Sequence, residues 1–552
     1  MLAPHVGHLY TMVLADVFKR FADLRRYPNT ALLTGTDEHG LKVQKAAQKA
    51  GLDTQTFCDQ NMARFKQLAD KAGIGYSRFI RTTDSDHKST VEHVWRELNQ
   101  RGYIYESEHE GWYSVSDETF FPESAVALIR DPSSGRKLMA SIETGNEVEW
   151  TSETNYHFKL SAFRERLLEH YAQHPRMIQP KPRLNQVINE VTAGLSDLSI
   201  SRPTARLNWG IRVPNDDHQT IYVWLDALVN YLTQAGYPFA EGSGEKNGWP
   251  PYVQVIGKDI TRFHAIYWPA FLMALNLQPP RRILTHAHWT MNHAKMSKSA
   301  GNAVNPFFAI DRFGVDTMRF YMVLDGGIVD DAPYDNAFII NRHKTILQNV
   351  VGNLLSRITR TKRWSVRTCI QQVRSQDLQA KSDRIAHHSE LVRLRAHVKH
   401  CFVNMNPRDA LYQILDNLRY VSQQCVCFCF CLVFGFCQRC LTPFSSGSRM
   451  QTNKFMSDHE VWRKIDDPSE AVQQKASLVI YYAAESLRIC GILLQPFMPG
   501  RMKELLDTLG VRDDKRTYLD AAPGADFEYG QPRHDIKPGS DNWLFPPLHA
   551  IT

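Results

Sequence analysis

Two lysines and two hydroxyls fall within five consecutive residues, Lys295-Met296-Ser297-Lys298-Ser299. Two ammonium groups on a short loop can grip a polyphosphate as charge builds on it. Lysine acts there as a point charge, and preorganised donors stabilise developing charge best. By itself such a basic loop is more often a solvated surface feature. A second candidate group lies near the other end of the chain. His5 and His8 flank Gly7 just ahead of residues 12–24, whose apolar positions recur at helical spacing. A helix N-terminus favours anions, the imidazoles add donors for phosphate oxygens, and Gly7 lets a flat ligand approach the backbone. Two acids complete the set: Asp37 in Gly35-Thr36-Asp37-Glu38-His39-Gly40, and Asp259 in Ile256-Gly257-Lys258-Asp259. Each follows a short apolar run with strand character, and ligands of open α/β sheets bind at such strand ends. The pattern around Gly257 and Asp259 suits a ribose-binding carboxylate. Asp37 could equally cap the helix that follows it.

The elements that must hold these residues read as alternating strand and helix. Residues 31–36 form a short buried strand and 41–50 a helix, a βα step. Residues 221–231 place Trp224, Ala227 and Tyr231 on one helical face, a stripe that more often packs a core than lines a pocket. Residues 252–256 form a second strand, and His264 and Trp268, four apart on the next helix, face the same cleft. A run of polar aromatics, His286-Ala287-His288-Trp289, delivers the chain to the lysine loop. The texture changes over 106–217, with β elements near 111–118 and 147–150 and helices near 161–171 and 183–193. After about 336 the pattern is helical, with heptad-like apolar spacing in 345–360, 407–419 and 470–494. The expectation is an α/β protein: a Rossmann-like parallel-sheet domain in two halves, 1–105 and 218–293, split by an insertion at 106–217. The lysine loop region at 294–335 and a helical bundle at 336–552 follow.

Composition narrows the class. A chain of 552 residues exceeds one core, and 43% hydrophobic with 22% charged residues is ordinary for a globular protein. A net charge of +7 agrees with a polyanionic partner. No stretch reads as apolar enough to span a membrane. Six of the ten cysteines crowd into 425–440 and none lies between Cys58 and Cys369, which argues against a disulfide framework. The cysteine-free insertion excludes a zinc knuckle built on paired CxxC.

Together the motifs resemble the methionyl-tRNA synthetase family of the class I aminoacyl-tRNA synthetases. His5-Val6-Gly7-His8 is similar to the family's HIGH signature and Lys295–Ser299 to its KMSKS signature letter for letter. The stretches 35–40, 223–227 and 256–259 match in order and spacing, and the resemblance covers nearly the whole chain. The resemblance implies that methionine attacks the ATP α-phosphate to form methionyl-adenylate, which then acylates tRNA(Met). It implies that His5, Gly7, His8, Gly257, Asp259, Lys295, Ser297 and Lys298 bind ATP, supplied as its Mg2+ complex. His5, His8, Lys295 and Lys298 carry catalysis. Asp37 pairs with the methionine ammonium, and Trp224, Ala227, Tyr231 and His264 line the side-chain pocket. Asn353, Arg357 and Trp462 read the anticodon from the helical part, and residues 294–335 approach the acceptor stem. No structural zinc, no membrane and a monomer are expected. The zinc-free insertion resembles that of mitochondrial members, here of fungal type, so the mitochondrial matrix is the expected location. Two positions depart from the family pattern: Leu228 stands where Pro is common, and Val461 where Pro usually precedes Trp462.

Two segments depart further. Family members carry a β-strand ahead of the histidine motif, whereas four residues precede His5 here. That strand and any presequence are therefore expected to be missing, as in a gene model begun at an internal Met. A transcript whose 5′ end makes Met1 the true start would overturn that. Residues 421–451 alternate Cys, Phe and Val between helical stretches and have the wrong spacing for zinc. Val421-Ser422 can be encoded by a splice-donor sequence, and excision would join Tyr420 to Thr452 in one helix. A retained intron is the expectation, and cDNA reading through without a junction would contradict it.

Overall fold

The computed structural model describes residues 4–115, 119–121, 123–130, 135–142, 144–240, 248–291, 294–296, 304–375, 386–419, 469–532 and 543–548. The 421–451 segment, Ser297, Lys298 and Trp462 lie outside the described residues.

The first helix, α1 (Val6–Leu24), starts where His5 takes the N-cap position, its side chain accepting from Gly7 N–H. Val6, Leu9, Tyr10, Val13, Leu14, Val17 and Phe21 share one broad face, and Met12, Asp16 and Phe18 on its two flanks are buried as well. Such a helix must be covered on several sides. One neighbour is the parallel sheet; another is the C-terminal helical part, where Phe21 stacks on Phe402 at 3.7 Å between centroids.

Two short parallel sheets lead into the acidic motifs at 35–40 and 256–259. In one, β1 (Leu33–Thr36) pairs with β2 (Arg78–Arg81). In the other, Ile283–His286 is flanked by Gln254–Gly257 and by Ile178–Gln179. Among the described residues no strand joins the two sheets. Residues 31–36 were read as a buried strand, but β1 is only partly buried, because one of its edges faces the space between the sheets. Helices α2 (Leu41–Ala50), α3 (Thr54–Lys71) and α4 (Ser85–Gln100) follow these strands in βα alternation.

Within 106–217, Ile104–Ser114 and Glu149–Phe158 form a long antiparallel pair, from Ile104↔Phe158 to Tyr113↔Glu149. The helices Arg164–Gln173 and Lys181–Ala193 then return to the parallel sheet, and Ile178–Gln179 between them becomes its edge strand. Their buried residues Leu167, Leu184 and Val187 share a core with Leu225 and Ile256. Helix α5 (Val223–Ala235) ends at Gly236, whose φ of 79° closes the last turn.

Beyond residue 336 the described chain is helical in its greater part, as its apolar spacing indicates, up to the helix Pro499–Thr508. Residues 511–532 and 543–548 are mostly turns and irregular chain. The 345–360 stretch is π-helical over His343–Gly352 before becoming α-helical over Asn353–Thr359, a distinction heptad spacing does not encode. One expectation needs correcting: Val472–Leu494 has a mean hydropathy of 1.5 over 23 residues, long and apolar enough to cross a membrane. Its apolar window is 89% buried inside the protein, where it forms the centre of the bundle.

Candidate active site

A cleft of about 930 Å³ lies between the two parallel sheets, walled by β1, by Val253–Val255, by α1 and by α5. His8 of the first motif lines it, and the His5 ring packs against His8 with centroids 3.8 Å apart. His5 Nδ1 accepts from Gly7 N–H at 3.0 Å, and His8 Nδ1 accepts from His5 N–H at 3.1 Å. With each Nδ1 accepting, the proton of a neutral ring sits on Nε2, so both side chains act as donors from that atom. A Cβ on Gly7 would come within 2.8 Å of the His5 ring. Glycine is therefore required by this cap as well as by any ligand that approaches the backbone.

The lysine loop begins in a small antiparallel pair, with Thr290 opposite Lys295. Met296 is anchored in the core at 7% exposure. Further along the sequence, the Val304 carbonyl accepts from Val6 N–H at 3.3 Å. Two motifs almost three hundred residues apart are thus joined by a backbone hydrogen bond at the start of α1.

The strand ends supply the polar groups. Asp37 is exposed beside the cleft, whereas Glu38 is 3% exposed and fully engaged. Arg81 Nε donates to both Glu38 oxygens at 2.9 and 3.1 Å, and the Thr36 and Thr83 hydroxyls each donate at 2.6 Å. The N-cap of α2 is Gly40, with no side-chain cap, so Asp37 does not cap that helix. Asp259 follows Gly257, with His288 Nε2 3.3 Å from its Oδ1. Asp331 accepts from Lys258 Nζ at 2.7 Å and from His288 N–H at 2.9 Å, which ties the two strand ends together. His286 Nδ1 donates to the Ala287 carbonyl and its Nε2 lies 2.7 Å from the Thr11 hydroxyl. Burial pushes that imidazole down to about 4, so it is neutral at physiological pH.

The aromatic stripe turns inward. Trp224 stacks on Phe263 at 3.6 Å and 8°, and its indole N–H has no partner among the described residues. The Tyr231 hydroxyl lies 2.9 Å from His264 Nε2, while His264 Nδ1 donates to the Ile260 carbonyl at 3.0 Å. Burial pushes His264 down to about 4. Its Nε2 is therefore an acceptor for Tyr231, and the pair is a neutral, fixed wall. His264 enters the cleft from a π-helical turn, Phe263–Tyr267. That turn breaks the four-residue periodicity, so Trp268 does not share the cleft as its spacing suggested. It is fully buried, edge-on to Trp249 at 6.1 Å.

Asp37, Trp224, Ala227, Tyr231, His264 and His8 line one cleft. Gly257 and Asp259 stand at the end of the strand that walls it. Asn353 and Arg357 are not brought there; they sit one turn apart, half-buried, on the helix Asn353–Thr359. Sequence reading missed Thr11, Arg81, Thr83 and Asp331. Only their long-range partners mark them, and no local spacing signals it. Among the described residues no group of three or more His, Cys, Asp or Glu could hold a metal.

Parallel strands with ligand-facing loops at their carboxyl ends, split by an antiparallel insertion and followed by a helical bundle, form a class I aminoacyl-tRNA synthetase architecture. The family model for tRNA synthetases class I (M) matches residues 2–359. The chain is 48% identical to a probable mitochondrial methionine–tRNA ligase of Neurospora crassa, over 96% of this chain and 81% of that one. It is 40% identical to the mitochondrial methionine–tRNA ligase of Homo sapiens, over 93% of this chain and 83% of that one. The crystal structure of Mycobacterium tuberculosis methionyl-tRNA synthetase bound by methionyl-adenylate superposes with a TM-score of 0.81. It covers 99% of this chain and 97% of that one at 34% identity. The chain belongs to the methionyl-tRNA synthetase family.

Proposed function

We propose that this enzyme activates methionine with ATP and transfers it to tRNA(Met) for mitochondrial protein synthesis. The observation that carries the reading is the convergence of Asp37, the Trp224–Tyr231–His264 wall and His8, with His5 packed beside it, on one cleft. Methionine enters with its ammonium on the Asp37 carboxylate, a charge-assisted contact, and its thioether against Trp224, Ala227 and Tyr231. A carboxylate oxygen of methionine attacks the α-phosphorus of ATP, the bond to the β-phosphate breaks, and pyrophosphate leaves. No covalent enzyme intermediate forms, so positioning and charge stabilisation carry the rate. His5 and His8 donate to phosphate oxygens from Nε2, Gly7 admits the adenine, and Gly257 and Asp259 hold the ribose. Lys295, Ser297 and Lys298 close over the departing phosphates. Mg2+ arrives with ATP, held mainly by phosphate oxygens and water. A hydroxyl of the terminal tRNA ribose then displaces AMP. Asn353, Arg357 and Trp462 read the anticodon, the chain acts as a monomer, and its place is the mitochondrial matrix.

Isotope exchange between pyrophosphate and ATP tests the reading with each amino acid in turn. Exchange that depends on methionine is expected. Exchange driven by another amino acid, or none at all, overturns it.

A further inference from the structure

The cleft's amino-acid half rests on a buried cluster that the reaction does not itself use. Asp226, fully buried in the first turn of α5, accepts from two imidazoles at once. His39 Nδ1 lies 2.6 Å from its Oδ2 and His87 Nε2 lies 2.7 Å from its Oδ1. His39 is 4% and His87 0% exposed. The far nitrogen of His87 lies 3.1 Å from the Thr233 hydroxyl, two turns further along the same helix. Burial alone would raise the Asp226 carboxyl, but the two imidazoles outweigh it and hold it at about 2. The group is therefore a permanent anion fastened at both oxygens.

Each arm leads to a different part of the site. His39 is two residues from Asp37, on the loop leaving β1. That loop is pinned between them by Glu38, whose N–H donates to Thr82 Oγ1 at 2.9 Å and whose carbonyl accepts from Trp209 Nε1 at 2.6 Å. Asp226 adjoins Ala227 and lies two residues from Trp224, on the helix that carries the side-chain wall. His87 brings in α4, the helix after β2. We propose that the His39–Asp226–His87 cluster sets the separation between the Asp37 carboxylate and the wall formed by Trp224, Ala227 and Tyr231. Asp226 is then a positioning residue for the amino acid. A buried, doubly held carboxylate suits this task because removing one partner of such a group is costly, so few alternative spacings are populated. The proposal rests on the methionine-activating reading, in which both ends of one small substrate must be met at fixed distance.

Steady-state pyrophosphate exchange on the full chain tests it, with KM for methionine and for ATP measured separately and thermal melting run in parallel. Asp226→Asn should raise the methionine KM by roughly tenfold or more while the ATP KM stays within about threefold, because only one substrate's contacts are displaced. His39→Ala should do the same. His39→Asn should restore the wild-type methionine KM, since its amide can donate from the position of Nδ1. If Asp226→Asn does not fold, the His39 pair decides. An unchanged methionine KM in Asp226→Asn or His39→Ala overturns the positioning role alone. Equal rises in both KM values, or failure of His39→Asn to rescue, reduce the cluster to general structure and also overturn it. A wild-type chain without methionine-dependent exchange overturns the function and this proposal with it.

Discussion

Tyr231 and His264 show how burial at one residue sets chemistry at the next. The imidazole is held near 4, so it accepts from the Tyr231 hydroxyl and presents no charge to the cleft. His286 is held at about 4 for the same reason. An unfolded histidine titrates near 6.5. A folded value below the unfolded one means that the native state favours the neutral ring. The stability these two residues contribute is therefore present above about pH 6.5 and is lost as pH falls towards 4. The melting temperature should drop across that window, and His264→Gln, which keeps an acceptor but does not titrate, should flatten the drop. A melting curve that is as steep in the variant as in the wild type would argue against this.

At the scale of elements, the start of α1 is a helix cap that, in the proposed reaction, also faces phosphate. His5 would serve the two tasks with different atoms: Nδ1 caps Gly7 N–H and Nε2 carries the proton of the neutral ring. The two tasks are separable by substitution. Asparagine is a strong N-cap, so His5→Asn should keep melting within about 0.5 kcal/mol of wild type. The missing Nε2 donor should lower kcat for exchange on the order of 10²-fold with methionine affinity little changed. Stopped exchange with a collapsed fold would show instead that the imidazole is only a cap. The same element meets the chain that follows the lysine pentapeptide: the Val304 carbonyl accepts from Val6 N–H, one residue after that cap.

At the scale of the molecule, one buried arginine links α1 to the helical C-terminal part, by an ion pair on one side and by carbonyl hydrogen bonds on the other. Arg319, 1% exposed on the helix Val315–Asp325, meets the Asp16 carboxylate of α1 at 2.5 Å. It also donates to the carbonyls of Pro496 and Phe497, at 2.9 and 3.1 Å, just beyond the helix Glu470–Leu494. Arg20 and Gly75 N–H hold the remaining valences of Asp16. Asp16→Asn leaves the Arg319 guanidinium buried without its counter-charge and should cost about 3–5 kcal/mol, read from urea unfolding. Replacing both partners with apolar residues, Asp16→Leu with Arg319→Met, should cost less than the single change. A loss below about 1 kcal/mol for Asp16→Asn would mean that water reaches the pair. The apolar helix over Val472–Leu494 belongs to this scale too, since its hydropathy is spent on the bundle core.

The sequence by itself determined whatever lies within one short stretch. The histidine motif, the lysine pentapeptide, the Thr36–Gly40 loop, the strand ending at Gly257 and the largely helical C-terminal part are all local patterns, and local patterns follow from backbone periodicity and residue type. That His5 itself caps α1 was not among them. That Trp224, Ala227 and Tyr231 share one helical face was legible from their spacing, but spacing alone favoured a core stripe, and it is the packing that sets them along the cleft. Tertiary structure alone decided the rest. It sent Trp268 to the core, because a π-helical turn interrupts the spacing after His264. It left α2 capped by Gly40 and so released Asp37 to the cleft. It paired Val6 with Val304, His39 and His87 with Asp226, and Asp16 with Arg319, each across a long stretch of chain. Such pairings depend on how helices and sheets pack in space, and a polar residue's type says only that it needs a partner, not which one it will find.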